Sequence, residues 1–451
     1  MTARPITLAI VGAGNRGRDT YGRWCLRRPD QAQVVAVAET DAGRRITLAA
    51  EHSIRPNATF DHWRGLLSAG RVADAIVIAT PDRVHTAPTI AALDVGYDVI
   101  LEKPIAPTAE EVLAVGTAAD HSTGSVTVAH VLRYTPFFST VKRLVDEGKI
   151  GQLVTIEHAE RIGYWHFAHS FVRGNWGSEA LSSPMILAKA CHDLDLMRWL
   201  AGDRCTAVAS FGGLHHFRPE QAPPGALDRC TDGAQRCPAA VDCPFDAVRF
   251  YVDRLDGVTD WPVSVITDDS SREGRLAAVA TGPYGRCVYH GDNDVADHQV
   301  VALEFANGVR ASLTVIGLTA DNTRTITLTG TRGELRGRLD TGEIEIRRFL
   351  PASDPTGEGP WDRDDLGRAA LRGDERVVLH ATSESLVEGH GGGDDGLMTD
   401  AVARLRARRD AVPGAADEAR TSLATSLDSH AMAFAAETSR RERRMVELPG
   451  R

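Results

Sequence analysis

The 451-residue sequence predicts an α/β chain of two domains, a parallel-sheet domain followed by an α+β domain, on three observations. The N-terminal part alternates short, wholly apolar runs with helix-length segments. The first of those runs feeds directly into a glycine-rich turn. Beyond residue 150, β-branched runs follow one another with no helix-length segment between several of them. Strands buried on both faces and separated by helices are the pattern of βαβ units. Strands in direct succession are the pattern of an antiparallel sheet. The length agrees, because single cores stop growing beyond ~250–300 residues.

The parallel strands are read at 6–11, 34–38, 75–79, 99–101 and 125–129, with helices such as 43–52 and 86–95 between them. The first domain is bounded at residues 1–125 and the second takes 126–451. In the second, 153–160, 300–305, 309–316, 325–329 and 343–348 read as strands. Asn307-Gly308 between two of them is a hairpin turn, since that pair accepts positive φ. Residues 205–290, rich in Pro, Gly, Asp and Cys, read as an insertion. Residues 351–375 and 388–396 read as polar, Gly-rich loops, and 397–408 and 421–440 as helices that pack back onto the body. No internal repeat is visible.

Composition excludes several classes. With 43% hydrophobic and 25% charged residues the chain is of ordinary globular type. A formal net charge of −10 argues against nucleic acid or an anionic membrane as partner. The N-terminal apolar run is consumed by the glycine turn, so it reads as a strand and not as a signal peptide. No apolar run approaches the ~20 residues of a membrane span. A cytoplasmic protein is expected, with its seven Cys read as thiols or metal ligands before disulfides.

Gly12-Ala13-Gly14-Asn15-Arg16-Gly17 is a GxGxxG directly after a strand and before a helix. Gly12 permits the tight turn, Gly14 the close approach of a pyrophosphate, and Gly17 the packing of helix on strand. Glu39 ends the next strand, about 20 residues on, where a carboxylate accepts from a ribose 2′-OH and repels a 2′-phosphate. NAD is therefore expected over NADP, with Arg44 and Arg45 the residues that weigh the other way.

The stretch Ala79-Thr80-Pro81-Asp82-Arg83-Val84-His85, followed by Leu101-Glu102-Lys103-Pro104, resembles the Gfo/Idh/MocA oxidoreductases. The resemblance continues through His130-Val131-Leu132-Arg133-Tyr134-Thr135-Pro136, Gly148-Lys149-Ile150-Gly151, Cys191-His192-Asp193-Leu194-Asp195 and Gly330-Thr331-Arg332-Gly333-Glu334-Leu335. It implies a Rossmann domain followed by a domain built on a large open sheet, through which the chain would also form homo-oligomers. It implies cofactor contacts from Asn15, Arg16, Thr80, Pro81, His85, Glu102 and Lys103, with Lys103 beside nicotinamide and substrate. It places Arg133 and Tyr134 at the substrate.

The chemistry is legible beside the resemblance. Oxidising an alcohol requires a base for the hydroxyl proton while hydride leaves the carbon, and a cation to steady the developing alkoxide. Lys103 supplies the cation and His192 the base. Many family members carry an Asp four residues before that His; here the position is Ala188, and Lys189 stands three before. On one helix both spacings share a face, so Lys189 is expected to tune His192 or to contact the substrate. Asp193 and Asp195 read as capping and surface residues, the alternative being that one of them takes the part of the missing acid and orients His192.

Tyr164-Trp165-His166-Phe167-Ala168-His169 with Arg173-Gly174-Asn175-Trp176 interleaves aromatic and polar groups, the mixture of a pocket for a polar ring. Trp165, His166, His169, Arg173 and Trp176 join Lys189 and His192 as substrate-binding candidates. Asp292-Asn293-Asp294 and Asp297-His298-Gln299 are weaker additions. Cys230, Cys237, Cys243 and Cys287 provide four thiolates suited to a structural zinc, with free thiols and disulfides as alternatives. Cys25, Cys191 and Cys205 read as small core residues.

The expected activity is hydride transfer from a ring hydroxyl of a sugar, glycoside or cyclitol to NAD, with C3 of a glycoside one candidate position. An NAD-recycling glycosidase and a non-catalytic dinucleotide sensor are the competing readings.

Overall fold

The computed structural model describes residues 4–349, 374–381, 390–412 and 419–449. Six strands, β1 (Ile6–Val11), β2 (Ala32–Ala38), β3 (Thr59–Phe60), β4 (Ala75–Ile78), β5 (Asp98–Leu101) and β6 (Val126–Val128), form the first sheet in the order β3-β2-β1-β4-β5-β6. Every pairing in it is parallel. This is the Rossmann arrangement, whose ligand crevice opens beyond the strand ends where the order reverses, between β1 and β4. All residues of β4 and β5 are buried, because helices cover both faces of the sheet.

Two boundaries move. The sixth strand pairs with β5, so the first sheet extends past residue 125 to Val128. The helix Gly393–Arg409 also belongs to this layer: Leu397, Met398, Ala401, Val402 and Leu405 share one apolar cluster with Ile6, Leu8 and Ile10. Sequence order assigned that helix to the second domain. Its apolar face is buried against the first sheet and against Ala129, Val131 and Tyr134 just beyond it. Its first residues fall within the segment 388–396 expected as loop, whereas the expected loop 351–375 lies almost wholly outside the described residues.

The second sheet contains β7 (Leu153–Gly163), β8 (Cys205–Gly213), β9 (His298–Phe305), β10 (Arg310–Thr319), β11 (Thr323–Gly330), β12 (Gly333–Arg338), β13 (Glu343–Phe349), β14 (Asp374–His380) and β15 (Val446–Glu447). Their order is β14-β13-β12-β11-β7-β10-β9-β8-β15, and β7 with β10 is the single parallel pair. The strict alternation of exposed and buried residues along β9 marks a sheet covered on one face. Helices Cys191–Ala201 and Leu423–Glu442 provide that cover, and the latter also reaches the helix Ala109–Asp120 of the first domain. β8 lies inside the span expected as insertion. The irregular segment proper runs between β8 and β9 and has its own small core of Cys230, Ala247, Val248, Tyr251, Val252 and Val279.

Among the described residues no helix is long and apolar enough to cross a membrane.

Candidate active site

At the end of β1, Gly12 takes φ +94°, and a Cβ there would stand 2.5 Å from the Ala79 carbonyl oxygen. A Cβ on Gly17 would overlap the Gly12 carbonyl. Gly14 differs: a side chain there would meet nothing within 4 Å, so it borders open space at the start of the helix Asn15–Gly22. Glu39 is fixed at the rim of this turn, accepting from the N–H of Ala13 at 2.7 Å and of Asp41 at 2.9 Å. Pro81 leads into the helical turn Asp82–Val84. The neighbouring Thr80 Oγ1 is buried without a hydrogen-bond partner. An open glycine at a helix N-terminus, a carboxylate on the next strand and an unsatisfied hydroxyl fit a dinucleotide.

Four of the expected cofactor contacts, Asn15, Arg16, His85 and Glu102, also have partners within the protein. Asn15 donates to Asp19 at 3.3 Å. The His85 ring lies between the carbonyls of Thr80 and Pro104, at 2.8 and 2.7 Å, and so ties together the loops after β4 and β5. Arg16 donates to Glu102 at 2.5 Å and to Asp394 at 2.7 Å. Glu102 also accepts from the Tyr21 hydroxyl at 2.6 Å. Burial alone would raise the Glu102 carboxyl, but Arg16, Tyr21 and Lys103 bring it below the usual carboxylate range.

Lys103 stands beside Glu102 and donates from Nζ to the Ala188 carbonyl at 2.9 Å. His192, second residue of the helix Cys191–Ala201, is 3% exposed, and neither ring nitrogen has a hydrogen-bond partner among the described residues. Burial, then Lys103, then the imidazoles of His130 and His390 push its pKa well below the ordinary histidine value. A neutral imidazole with two free nitrogens beside an ammonium is the base-and-cation pair that alcohol oxidation requires.

Lys189 does not occupy the helical face of His192. The helix Met185–Ala188 stops before it and the next begins at Cys191, so the spacing of three is not helical. Its Nζ lies 3.3 Å from Glu160 Oε1. Lys103, not Lys189, is the leading charge on His192, while Lys189 acts on His166. Behind it lies a buried ion network that the sequence reading missed. Arg324 Nε is 2.7 Å from both Glu160 and Asp193, and His158 Nε2 is 2.7 Å from Asp193. Glu160 and Arg324 are directly paired across β7 and β11. The available signal was a pair of polar residues, His158 and Glu160, at inward positions of a strand.

Asp193 and Asp195 are therefore core residues, not surface ones. Arg133 is likewise withdrawn from the substrate: it is 3% exposed and grips Asp195 with two bonds of 2.6 Å. The Tyr134 hydroxyl contacts Asp400 and Thr421. Arg173 donates to the carbonyls of Arg286 and Phe245, and Trp176 donates to Asp82. His169 is buried against Tyr251 and stacked on Tyr284. Asp297 accepts from the backbone of His215 and His216, and Gln299 donates to Ser210, so neither lines the cleft.

What remains of the aromatic cluster is an open corner. Trp165 stacks on His166 with centroids 5.5 Å apart, and Trp261 from the irregular segment packs on both. Asn322 contacts His166 Nδ1 at 3.0 Å. Trp261 was missed because nothing local links it to residue 165.

Cys230, Cys237, Cys243 and Cys287 do line one small cavity, with Arg173, Phe245 and Tyr289. Among the described residues, however, no group of three or more His, Cys, Asp or Glu is arranged to hold a metal ion, and the cysteines are free. Protein donors serve two of the thiols: Ala247 N–H reaches Cys230 Sγ at 3.3 Å, and Leu227 N–H reaches Cys237 Sγ at 3.4 Å. Burial raises the thiol pKa of Cys243 and Cys287, which disfavours the thiolate a metal needs. The expected zinc site is not assigned.

Fold and site together define a two-domain dinucleotide-binding oxidoreductase. Residues 6–130 match the oxidoreductase family with NAD-binding Rossmann fold, GFO_IDH_MocA, and residues 138–336 match the GFO/IDH/MocA C-terminal domain. The chain belongs to the Gfo/Idh/MocA family. A Bacillus subtilis protein named as an oxidoreductase, YteT, is 25% identical over 72% of this chain and 71% of its own. An inositol 2-dehydrogenase of Saccharopolyspora erythraea is 31% identical over 51% of this chain and 62% of its own. One from Corynebacterium glutamicum is 27% identical over 46% and 57%. Among solved structures, the WlbA dehydrogenase of Bordetella pertussis, in complex with NADH and UDP-GlcNAcA, shares the fold across both whole chains (TM-score 0.65, 19% identity). Levoglucosan dehydrogenase with NADH and levoglucosan does so over 99% of this chain and all of its own (TM-score 0.67, 16% identity).

Proposed function

We propose that the protein oxidises a ring hydroxyl of a sugar, glycoside or cyclitol, with NAD as hydride acceptor. The observation that carries this reading is the juxtaposition of Lys103, in the loop after β5, with a buried His192 whose two ring nitrogens have no hydrogen-bond partner among the described residues. His192 takes the hydroxyl proton, Lys103 steadies the alkoxide, and bound NAD supplies the hydride-accepting ring. Trp165, His166 and Trp261 form the wall on which the apolar face of a ring stacks, and Lys189 reaches a hydroxyl or carboxylate of the substrate. The relatives named inositol 2-dehydrogenase, and the sugar ligands of WlbA and levoglucosan dehydrogenase, agree with that substrate class.

Glu39 selects NAD over NADP. The uncovered face of the second sheet, where Phe211, Val300 and Leu318 are exposed, docks a second copy of this chain. Free cysteines suit a reducing compartment, and we place the activity in the cytoplasm. The test is a panel of cyclitols, aldoses, uronates and glycosides assayed for NADH. Accumulating NADH with a keto product supports the dehydrogenase. Glycoside cleavage without NADH accumulation would replace it with the recycling hydrolase, and inertness towards the whole panel would overturn it.

A further inference from the structure

Four imidazoles stand in a row through the site. Ring centroids lie 5.7 Å apart for His390 and His192, 5.6 Å for His192 and His130, and 5.7 Å for His130 and His430. The two ends differ. His430 is fully buried and closed: its Nε2 accepts from the Ile105 N–H at 2.9 Å and its Nδ1 donates to the Ser426 carbonyl at 2.8 Å. His130 is fully buried, with no partner on either nitrogen among the described residues. His390 alone reaches solvent, its side chain 35% exposed.

His390 is also oriented. Its Nδ1 lies 3.0 Å from Asp394 Oδ2, and Arg16 holds the other Asp394 oxygen at 2.7 Å. Among the described residues, no hydrogen-bond partner holds the Nε2 edge. The backbone holds it in an uncommon conformation, with φ of +54° at His390 followed by +60° and +84° at Gly391 and Gly392. For a non-glycine residue this region is strained, and such strain clusters at functional sites. Among the described residues, the charged and titratable groups that face it are Asp394 on the helix Gly393–Arg409 that follows, Arg16 from the first Rossmann helix by way of Asp394, and His192 with Lys103 behind it.

We propose that His390, oriented by Asp394, is the proton outlet of the active site, taking from His192 the proton that the substrate hydroxyl gives up and releasing it to solvent. It touches neither substrate nor cofactor and acts through His192 as a positioning and relay residue. The hydroxyl O–H breaks as its carbon gives hydride to the dinucleotide, and one His192 nitrogen takes the proton. The proton on the other His192 nitrogen passes to His390, directly or through one water. The resulting His390 imidazolium, paired with Asp394, releases its proton to bulk water. Escape the other way is blocked, because both nitrogens of His430 are already bonded to backbone. The device also answers the absence of an acid at Ala188: the carboxylate orients the outer histidine of the row.

This inference rests on the hydroxyl-oxidation reading, and two measurements separate the two. The first is nitrogen-15 NMR of the imidazoles in the full chain saturated with NAD, which needs no turnover. Neutral His390 is expected as the Nδ1–H tautomer, with D394N mixing the tautomers and H390A shifting the His192 ring nitrogens. An Nε2–H tautomer at His390, or His192 resonances indifferent to H390A, would overturn the relay whatever the substrate. The second is single-turnover NADH formation with myo-inositol and levoglucosan as probes. H390A is expected to slow it about a hundredfold, the lower end for loss of a proton-transfer group, with KM little changed and added imidazole restoring the rate. A slow rate that imidazole does not lift also overturns the relay. If the wild-type protein reduces no NAD with any hydroxyl, the function reading fails and the NMR result still judges the pair.

Discussion

Lys103 Nζ donates to the main-chain carbonyl of Ala188 at 2.9 Å, fastening the loop after β5 to the segment that precedes His192. The bond holds the ammonium at the candidate base and leaves it available to a developing alkoxide. Lys103→Ala is expected to lower kcat about 10²–10⁴-fold, the usual range for an acid–base group. NAD affinity, measured by fluorescence titration, should change little. Wild-type turnover in this variant would remove Lys103 from the chemistry.

Glu39 is held at the glycine turn by the Ala13 N–H, so its loss should weaken NAD while relieving repulsion of a 2′-phosphate. Glu39→Ala is expected to narrow the ratio of NAD to NADP affinities. An unchanged ratio of dissociation constants would show that the residue supports the turn without reading the ribose.

Lys189 pairs with Glu160 and acts on His166, not on His192. Lys189→Ala should therefore raise KM about tenfold, equivalent to ~1.4 kcal/mol of lost binding. The pH profile of kcat should stay where it was. A displaced profile would return Lys189 to the role of tuning the base.

The buried pair Arg133–Asp195 predicts a stability effect independent of any substrate. Arg133→Ala leaves an uncompensated carboxylate in the core and should lower unfolding free energy by about 3–5 kcal/mol. The double variant Arg133→Met, Asp195→Leu should recover most of it in urea denaturation. A single variant as stable as the parent would contradict the geometry.

Burial holds the imidazoles of His130, His166 and His192 well below the ordinary value, and those of His169 and His430 at about 3. In the unfolded chain each takes a proton near pH 6.5. The unfolded state therefore binds more protons as pH falls, and each histidine withdraws about 1.4 kcal/mol per pH unit below that point until its folded pKa is reached. The depressed carboxyls of Glu102, Asp193 and Asp394 add to the loss below about pH 4. Urea midpoints should fall steadily from pH 6.5 to 4. A flat profile across that interval would show these rings to be solvated.

The first domain was legible because its signals are local. A strand, a glycine turn and a helix are contiguous, and period and spacing report them without knowledge of the rest of the chain. Lys103 and His192 were each read from a short motif, and the fold brings the two side chains near one another. The sequence by itself thus determined the Rossmann core and the two-sheet architecture.

What tertiary structure decided are partnerships between distant residues, and they alter what side chains are free to do. Arg133, Arg16 and Arg173 look in sequence like cations awaiting a ligand; in the fold each meets a carboxylate or carbonyl and is neutralised or saturated there. The converse holds for His390 and Trp261, which look like loop residues until the helix Gly393–Arg409 docks on the first sheet and the irregular segment folds over Trp165. Desolvation is the physical reason. A buried charge must find its partner within the protein, and only the packing of elements remote in sequence determines which one it finds.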